Sequence, residues 1–208
     1  MKRETVYRIF SHLPELETER LLLRRMLVTD ADDMYAYARR SDLTKYLTWD
    51  PHPDRDYTVE YLQYLASRYR VGDFYDWGVT LRSDGRLIGT CGFTSFDFAH
   101  DSAQVGYVLN PDYWGRGLAP EALRAVLRFG FHALNLHRIE AFYIQGNIRS
   151  RRVMEKVGMA YEGTRRGAMR IKGEYRDIGV CALLRGEEVR GAVPSPNNPQ
   201  GSSGGEVL

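Results

Sequence analysis

The 208-residue chain predicts an α+β fold, a mixed α/β domain in three layers, on three observations. Period-two apolar segments follow one another in hairpin order rather than in strict β-α-β alternation. Runs with apolar residues at helical spacing separate them. Ser83-Asp84-Gly85 sits between two strand-like segments as a tight-turn signal.

The elements follow in order. "RLLLRRM" (20–26) predicts a first strand, and Thr29-Asp30 opens a helix with Ala31, Met34, Tyr35 and Ala38 on one face. A second helix over 57–70 carries Val59, Leu62 and Leu65. "FYDWGVTLR" and "RLIGTCGFTSF" form the hairpin, and "AQVGYVL" adds a further strand. Residues 118–134 repeat Leu123, Val126, Leu127, Gly130, Phe131 and Leu134 at helical spacing. "HRIEAFYI" predicts a strand, and "SRRVMEKVG" a short helix ended by Gly158. Two closing strands, 159–170 and 175–184, turn at Lys172-Gly173. The expected order is β-α-α-β-β-β-α-β-α-β-β. One domain is expected over 14–187, with an N-terminal extension over 1–13. Residues 188–208, rich in Pro, Gly, Ser and Asn, predict a disordered tail, because they offer too little apolar surface to offset the entropy of ordering.

Composition narrows the function. The 29 basic and 27 acidic residues nearly cancel, so no global field points to nucleic acid. The runs "RSRR" and Arg165-Arg166 lack the interleaved aromatics of a single-strand binder. Cys91 and Cys181 lie in apolar strand-like runs, and their spacing fits neither a disulfide framework nor a metal site. The N-terminus lacks a secretory apolar core, and no run reaches membrane-span length. These features predict a cytoplasmic protein without a membrane or nucleic-acid partner, as monomer or homodimer.

"GYVLNPDYWGRGLAPEA" (106–122) places Gly115-Arg116-Gly117 between a strand and a helix. Glycine there lets backbone approach a ligand, and the helix N-terminus favours a phosphate. A Walker loop is excluded, since no Gly-Lys-Ser/Thr follows. A dinucleotide fingerprint fits poorly, because Pro120 takes the third glycine and Glu140 falls in mid-strand. A plain glycine-rich turn is the other alternative. Amides of Gly115 to Ala119 at a helix start form a concave donor site, and Pro120 is tolerated in a first turn.

These residues resemble the GNAT acetyltransferase superfamily, within it the ribosomal-protein alanine N-acetyltransferase-like branch. "LETERLLLRRM" looks like the branch's opening strand, "NPDYWGRGLAPEA" like its pyrophosphate loop, and "NIRSRRVMEKVGM" like its second coenzyme segment. The resemblance covers residues 14–187. It implies a mostly antiparallel twisted sheet of about seven strands, splayed at the coenzyme site and flanked by about four helices. It also implies acetyl-CoA as acetyl donor, with no metal. The superfamily signature aligns with Trp114, Gly115, Arg116, Gly117, Leu118 and Ala119, where Trp114 replaces the usual Gln or Arg.

The resemblance further implies that acetyl-CoA enters beside the "VGYVL" strand, along Val108 and Leu109, with an amide near Val108 polarising the thioester carbonyl. Asn147 would contact the pantetheine, and Arg116, Arg151 and Arg152 are candidates to pair with coenzyme phosphates, a solvated helix face being the alternative for the last two. Ser150 is the expected acid, because the tyrosine many members carry is here Met154; an N-cap role is the alternative for Ser150. Tyr46, Trp49, Trp77, Gln104 and Tyr107 are candidate acceptor-site residues, the aromatics being equally suited to packing. Gln104 stands where the branch often has a glutamate. Asp97, His100 and Glu140 remain candidates for a base acting through water.

The predicted activity is acetyl transfer from acetyl-CoA to a primary amine by direct attack, since no nucleophile pairs with a histidine. An α-amine, pKa ~7.7–8.0, is partly neutral at pH 7, whereas deprotonating a lysine at ~10.4 costs ~4.6 kcal/mol. A weak base therefore favours a protein N-terminus or another low-pKa amine. A catalytically weak or inactive acetyl-CoA-binding sensor module is the alternative, favoured by Gln104 and Met154.

Overall fold

The computed structural model describes residues 2–187. Among them it holds one eight-stranded sheet in the order β1-β2-β3-β4-β5-β6-β8-β7. Its strands are β1 (Leu16–Glu17), β2 (Leu21–Arg24), β3 (Asp76–Leu81), β4 (Leu87–Asp97), β5 (Ser102–Leu109), β6 (Arg138–Ile144), β7 (Ala160–Ile171) and β8 (Glu174–Leu184). Every pairing is antiparallel except β5 with β6. The helices are α1 (Arg3–Ser11), α2 (Ala31–Ala38), α3 (Ser41–Thr44), α4 (Arg55–Val71), α5 (Leu118–His132) and α6 (Ile148–Lys156). The α+β class and the mostly antiparallel sheet agree with the sequence. The counts do not: the two-residue β1 and the helices α1 and α3 were missed. The tail placed at 188–208 lies outside the described residues.

Local chemistry sets the element ends. Asp54 caps α4 by accepting from the Tyr57 amide at 2.7 Å, and Gly72 closes it at φ +76°. No side chain caps α1, so its start carries no sequence signal. It is held by packing instead: Val6 and Phe10 are fully buried. Val6, Phe10 and Leu13 of the expected extension thus supply part of the core that 14–187 encloses.

Strand alternation divides the core into two layers. On one face Trp77 and Phe93 meet Phe129 of α5 and Phe10 of α1, with ring centroids 5.3 to 6.3 Å apart. On the other, Gly78 admits Met26 and Leu87 beneath α2 and α4; a Cβ there would lie 2.8 Å from either side chain. Removing the Phe10 ring leaves a cavity at the centre of the aromatic cluster. Phe10→Ala should cost about 3–5 kcal/mol, read as a lower urea midpoint at unchanged slope; an unchanged midpoint would mean α1 is not part of the cooperative unit.

Candidate active site

β5 and β6 pair from Ser102↔Arg138 to Val105↔Ala141 and then stop, although β5 runs on to Leu109 and β6 to Ile144. The sheet opens between them, where the sequence placed the splay. A bulge sits in β4 across the ladder from Gly106, where Thr94 is the extra residue between Phe93 and Ser95. A Cβ on Gly106 would lie 2.9 Å from Thr94 Cγ2, so the glycine accommodates the bulge.

A cavity of about 1320 Å³ runs through this opening and reaches both faces of the sheet. That exceeds the 300–1,000 Å³ usual for one ligand, and leaves room for two reactants. One arm ends at the loop before α5. Gly115 and Gly117 line it at φ +79° and +77°, at a helix start whose first-turn N–H groups lack intrahelical acceptors. Trp114, Leu118 and Ala119 line the same arm, and Trp114 Nε1 is tied to the Leu109 carbonyl at 2.7 Å. This glycine-bearing, donor-rich loop fits the phosphates of coenzyme A.

The cations at this arm differ from those expected. Arg152 lines the cavity, and so do Arg149 and Lys156, one helical face of α6. Arg149 lies 4.5 Å over the Trp114 ring. Arg116 is turned away, donating to the Asp112 carbonyl and covering Tyr113; only its backbone belongs to the loop. Arg151 is paired with Glu155. The spacing 149, 152, 156 was the signal in the sequence.

α6 carries the second segment. Asn147, not Ser150, is its N-cap: Asn147 Oδ1 accepts from the Ser150 amide at 3.2 Å. Ser150 is thereby freed from capping. Its Oγ lies 2.9 Å from Tyr107 Oη, which also donates to the Ser150 carbonyl at 2.8 Å. Burial raises the Tyr107 phenol well above its ordinary value, so it stays protonated. Tyr107 thus lies beside Ser150, on the face of the sheet opposite Gln104. Met154 is packed in the core.

The amide assigned near Val108 also moves. Asn110 N donates to Ile88 of β4, and alternate amides of a strand share a side, so the Val108 amide points at β4. Those of its neighbours Tyr107 and Leu109 face the opening. The Val108 and Leu109 side chains do line the cavity.

The other arm lies under α2, α3 and α4. Tyr46, Trp49 and Gln104 line it as expected. Trp77 does not: it is fully buried on the opposite face, with Nε1 donating to the Pro14 carbonyl at 2.7 Å. Its neighbour Asp76, on the cavity face, takes that place. His52 adds to this wall, its ring 5.6 Å from that of Trp49 and its pKa lowered by burial. Lys172, at the tip of the β7–β8 hairpin, donates to the Thr44 carbonyl at 2.9 Å and meets Asp50 at 3.4 Å, clasping the wall from the far side. Asp97 caps its own turn through the amides of Ala99 and His100, and Glu140 lies 3.4 Å from Arg138; neither they nor His100 line the cavity.

Known proteins share this arrangement. Residues 20–160 match the family described as Acetyltransferase (GNAT) domain. An uncharacterized N-acetyltransferase, p20 of Bacillus licheniformis, is 33% identical over 83% of this chain and 97% of its own length. A [Ribosomal protein uS5]-alanine N-acetyltransferase of Escherichia coli is 27% identical over 83% of this chain and 93% of its own. A GNAT-family acetyltransferase structure from Bacillus anthracis superposes with TM-score 0.75 at 30% identity, covering 84% of this chain and all of that one. The open sheet, the glycine loop at the start of α5 and these similarities together place the chain in the GNAT family of acetyl-CoA-dependent N-acetyltransferases.

Proposed function

We propose that this enzyme acetylates a primary amine, a protein N-terminal α-amine or a small-molecule amine, by direct attack on acetyl-CoA. The observation that supports this best is one continuous cavity, from the glycine loop through the sheet opening to the aromatic wall. The E. coli relative named for alanine on uS5 favours an α-amine.

In this reading the Gly115–Ala119 amides hold the pyrophosphate, with Arg149 and Arg152 beside them. The Tyr107 and Leu109 amides meet the acetyl carbonyl oxygen as it gains charge. Ser150 is the proton donor to the departing sulfur. Tyr107 Oη gives its hydrogen to the Ser150 carbonyl, which leaves the Ser150 hydroxyl one rotation away from either Tyr107 or the sulfur. Gln104, an amide, takes no proton.

Thiol release from acetyl-CoA is measured across peptides with free and blocked N-termini, lysine-only peptides, polyamines and aminoglycosides. Turnover confined to one amine class names the acceptor. Tight coenzyme binding without release on any amine would support the sensor reading instead. Ser150→Ala should lower kcat at least about 10-fold with coenzyme affinity nearly unchanged; full turnover would remove the acid assignment.

A further inference from the structure

Among the described residues, four buried side-chain polar atoms lack a hydrogen-bond partner, and three belong to residues lining the cavity: Tyr37 Oη, Asp76 Oδ1 and Tyr143 Oη. Buried polar atoms are nearly always satisfied, so each exception needs a cause. Asp76 opens β3 and stands in a single row across three strands, paired with Gly92 of β4, which is paired in turn with Gly106 of β5. Two glycines in that row leave no side chain between the carboxylate and the strand bordering the opening. The carboxylate leans that way: a Cβ on Gly92 would lie 2.7 Å from Asp76 Oδ1. With strands about 4.8 Å apart, the row spans about 10 Å, enough for one small group between Asp76 and Gly106.

We infer that Asp76 receives the acceptor as a primary ammonium ion, seated over Gly92 and Gly106 with N–H groups on Asp76 Oδ1 and Tyr37 Oη, and takes its proton. The chemical step rests on the acetyl-transfer reading; ammonium binding does not.

No Lys, Arg or His of the described residues forms an ion pair with Asp76. A buried carboxylate without a cation is costly unless a ligand supplies one. The groups facing it are hydroxyls: Tyr37 of α2, Tyr61 and Tyr69 of α4, and Thr90 of β4. Burial first, and the Asp76 charge second, push the Tyr61 phenol up to about 12 and the Tyr37 phenol well above its ordinary value, so neither competes for the proton. Their rings, with Trp49, suit an ammonium on an apolar stem. Burial raises the Asp76 carboxyl to about 7, against smaller opposing pulls from Thr90 and the Trp77 amide. A base poised there works near neutral pH.

The proton balance closes. Asp76 carboxylate takes one proton from the ammonium, and the freed nitrogen pair forms the N–C bond to the thioester carbon. The C–S bond breaks with its electrons on sulfur. The second nitrogen proton leaves to solvent as that bond breaks, and the Ser150 oxygen regains from solvent the proton it gave to sulfur. The reaction releases one proton, which Asp76 passes to solvent. Asp76 and the Ser150–Tyr107 pair sit on opposite faces of the sheet, so donor and acceptor of protons cannot neutralise each other.

The test compares n-hexylammonium with 1-hexanol by saturation-transfer NMR at pH 8, on the full chain and on Asp76→Asn and Tyr37→Phe. Coenzyme A affinity by calorimetry and the pH profile of thiol release accompany it. The native chain should prefer the cation at least about 10-fold. Asp76→Asn should erase that preference, keep coenzyme affinity within about 2-fold, lower kcat/KM about 100-fold or more and remove the acid limb near pH 7. Tyr37→Phe should weaken the preference about 3-fold and keep the limb. An Asp76→Asn protein that retains the cation preference, or retains the limb with full kcat/KM, overturns the inference. If coenzyme A binds none of the three, the acetyl-transfer reading fails while the hexylammonium comparison still decides the role of Asp76.

Discussion

Gly117→Val should lower coenzyme A affinity about 100-fold, or ~2.7 kcal/mol, in a protein that still folds. Gly117 holds φ +77°, and a Cβ there would meet nothing closer than an Arg20 nitrogen at 3.6 Å. Space is therefore not the obstacle. A β-branched residue resists the left-handed region by about 1–2 kcal/mol, and relaxes by rotating the peptide planes on either side. Those planes carry the amides proposed to hold the phosphates, and each charge-assisted bond lost costs about 1.5–3 kcal/mol. Gly85 provides the control: it sits at φ +74° in the β3–β4 turn, and a Cβ there would have nothing within 4 Å. Gly85→Val should lose similar stability and keep coenzyme affinity, both read by calorimetry and thermal melts. Equal affinity in Gly117→Val and the native chain would detach the loop from the coenzyme.

Asp76→Asn should make the protein more stable above neutrality while making it a poor enzyme. The native carboxyl titrates at about 7 against an ordinary 3.8. The folded state thus holds its proton more tightly than the unfolded one. Below about pH 4 both states are protonated and no handicap exists. Between about 4 and 7 the unfolded state ionises first, so stability falls as pH rises, and above 7 the full handicap remains. That difference corresponds to a ceiling of about 4 kcal/mol, which solvent screening through the cavity reduces to about 2. Asparagine removes this handicap, so Tm should rise about 4–8 °C at pH 8 and hardly at all at pH 4.5. A Tm gain independent of pH would show that Asp76 is not the titrating group.

Local patterns carried the fold wherever an element announces itself. Ser83-Asp84-Gly85 turns as expected, and the spacing of 118–134 gave α5 within two residues. α1 escaped because no cap or breaker marks it and its worth lies in Phe10 meeting rings from β3, β4 and α5. In the site, errors were mostly of phase. Trp77 was chosen where Asp76 faces the cavity, and Val108 where its neighbours' amides face the opening. A single step along a strand reverses the face, and an apolar run does not reveal which face is which. Asp76 had a deeper reason to stay hidden. Its setting is made by Gly92 and Gly106, glycines that become neighbours only when the strands pair.

The short junction between β5 and β6 has a consequence for lifetime. Four residue pairs are all that join β1–β5 to β6–β8 within the sheet. Any molecule seated in the opening bridges the two sections and binds only the folded chain. At 100 times its Kd such a molecule adds about 2.7 kcal/mol of stability, and a protease that cuts opened chains meets correspondingly fewer of them. The rate at which the enzyme is degraded then becomes a gauge of how full its cavity is.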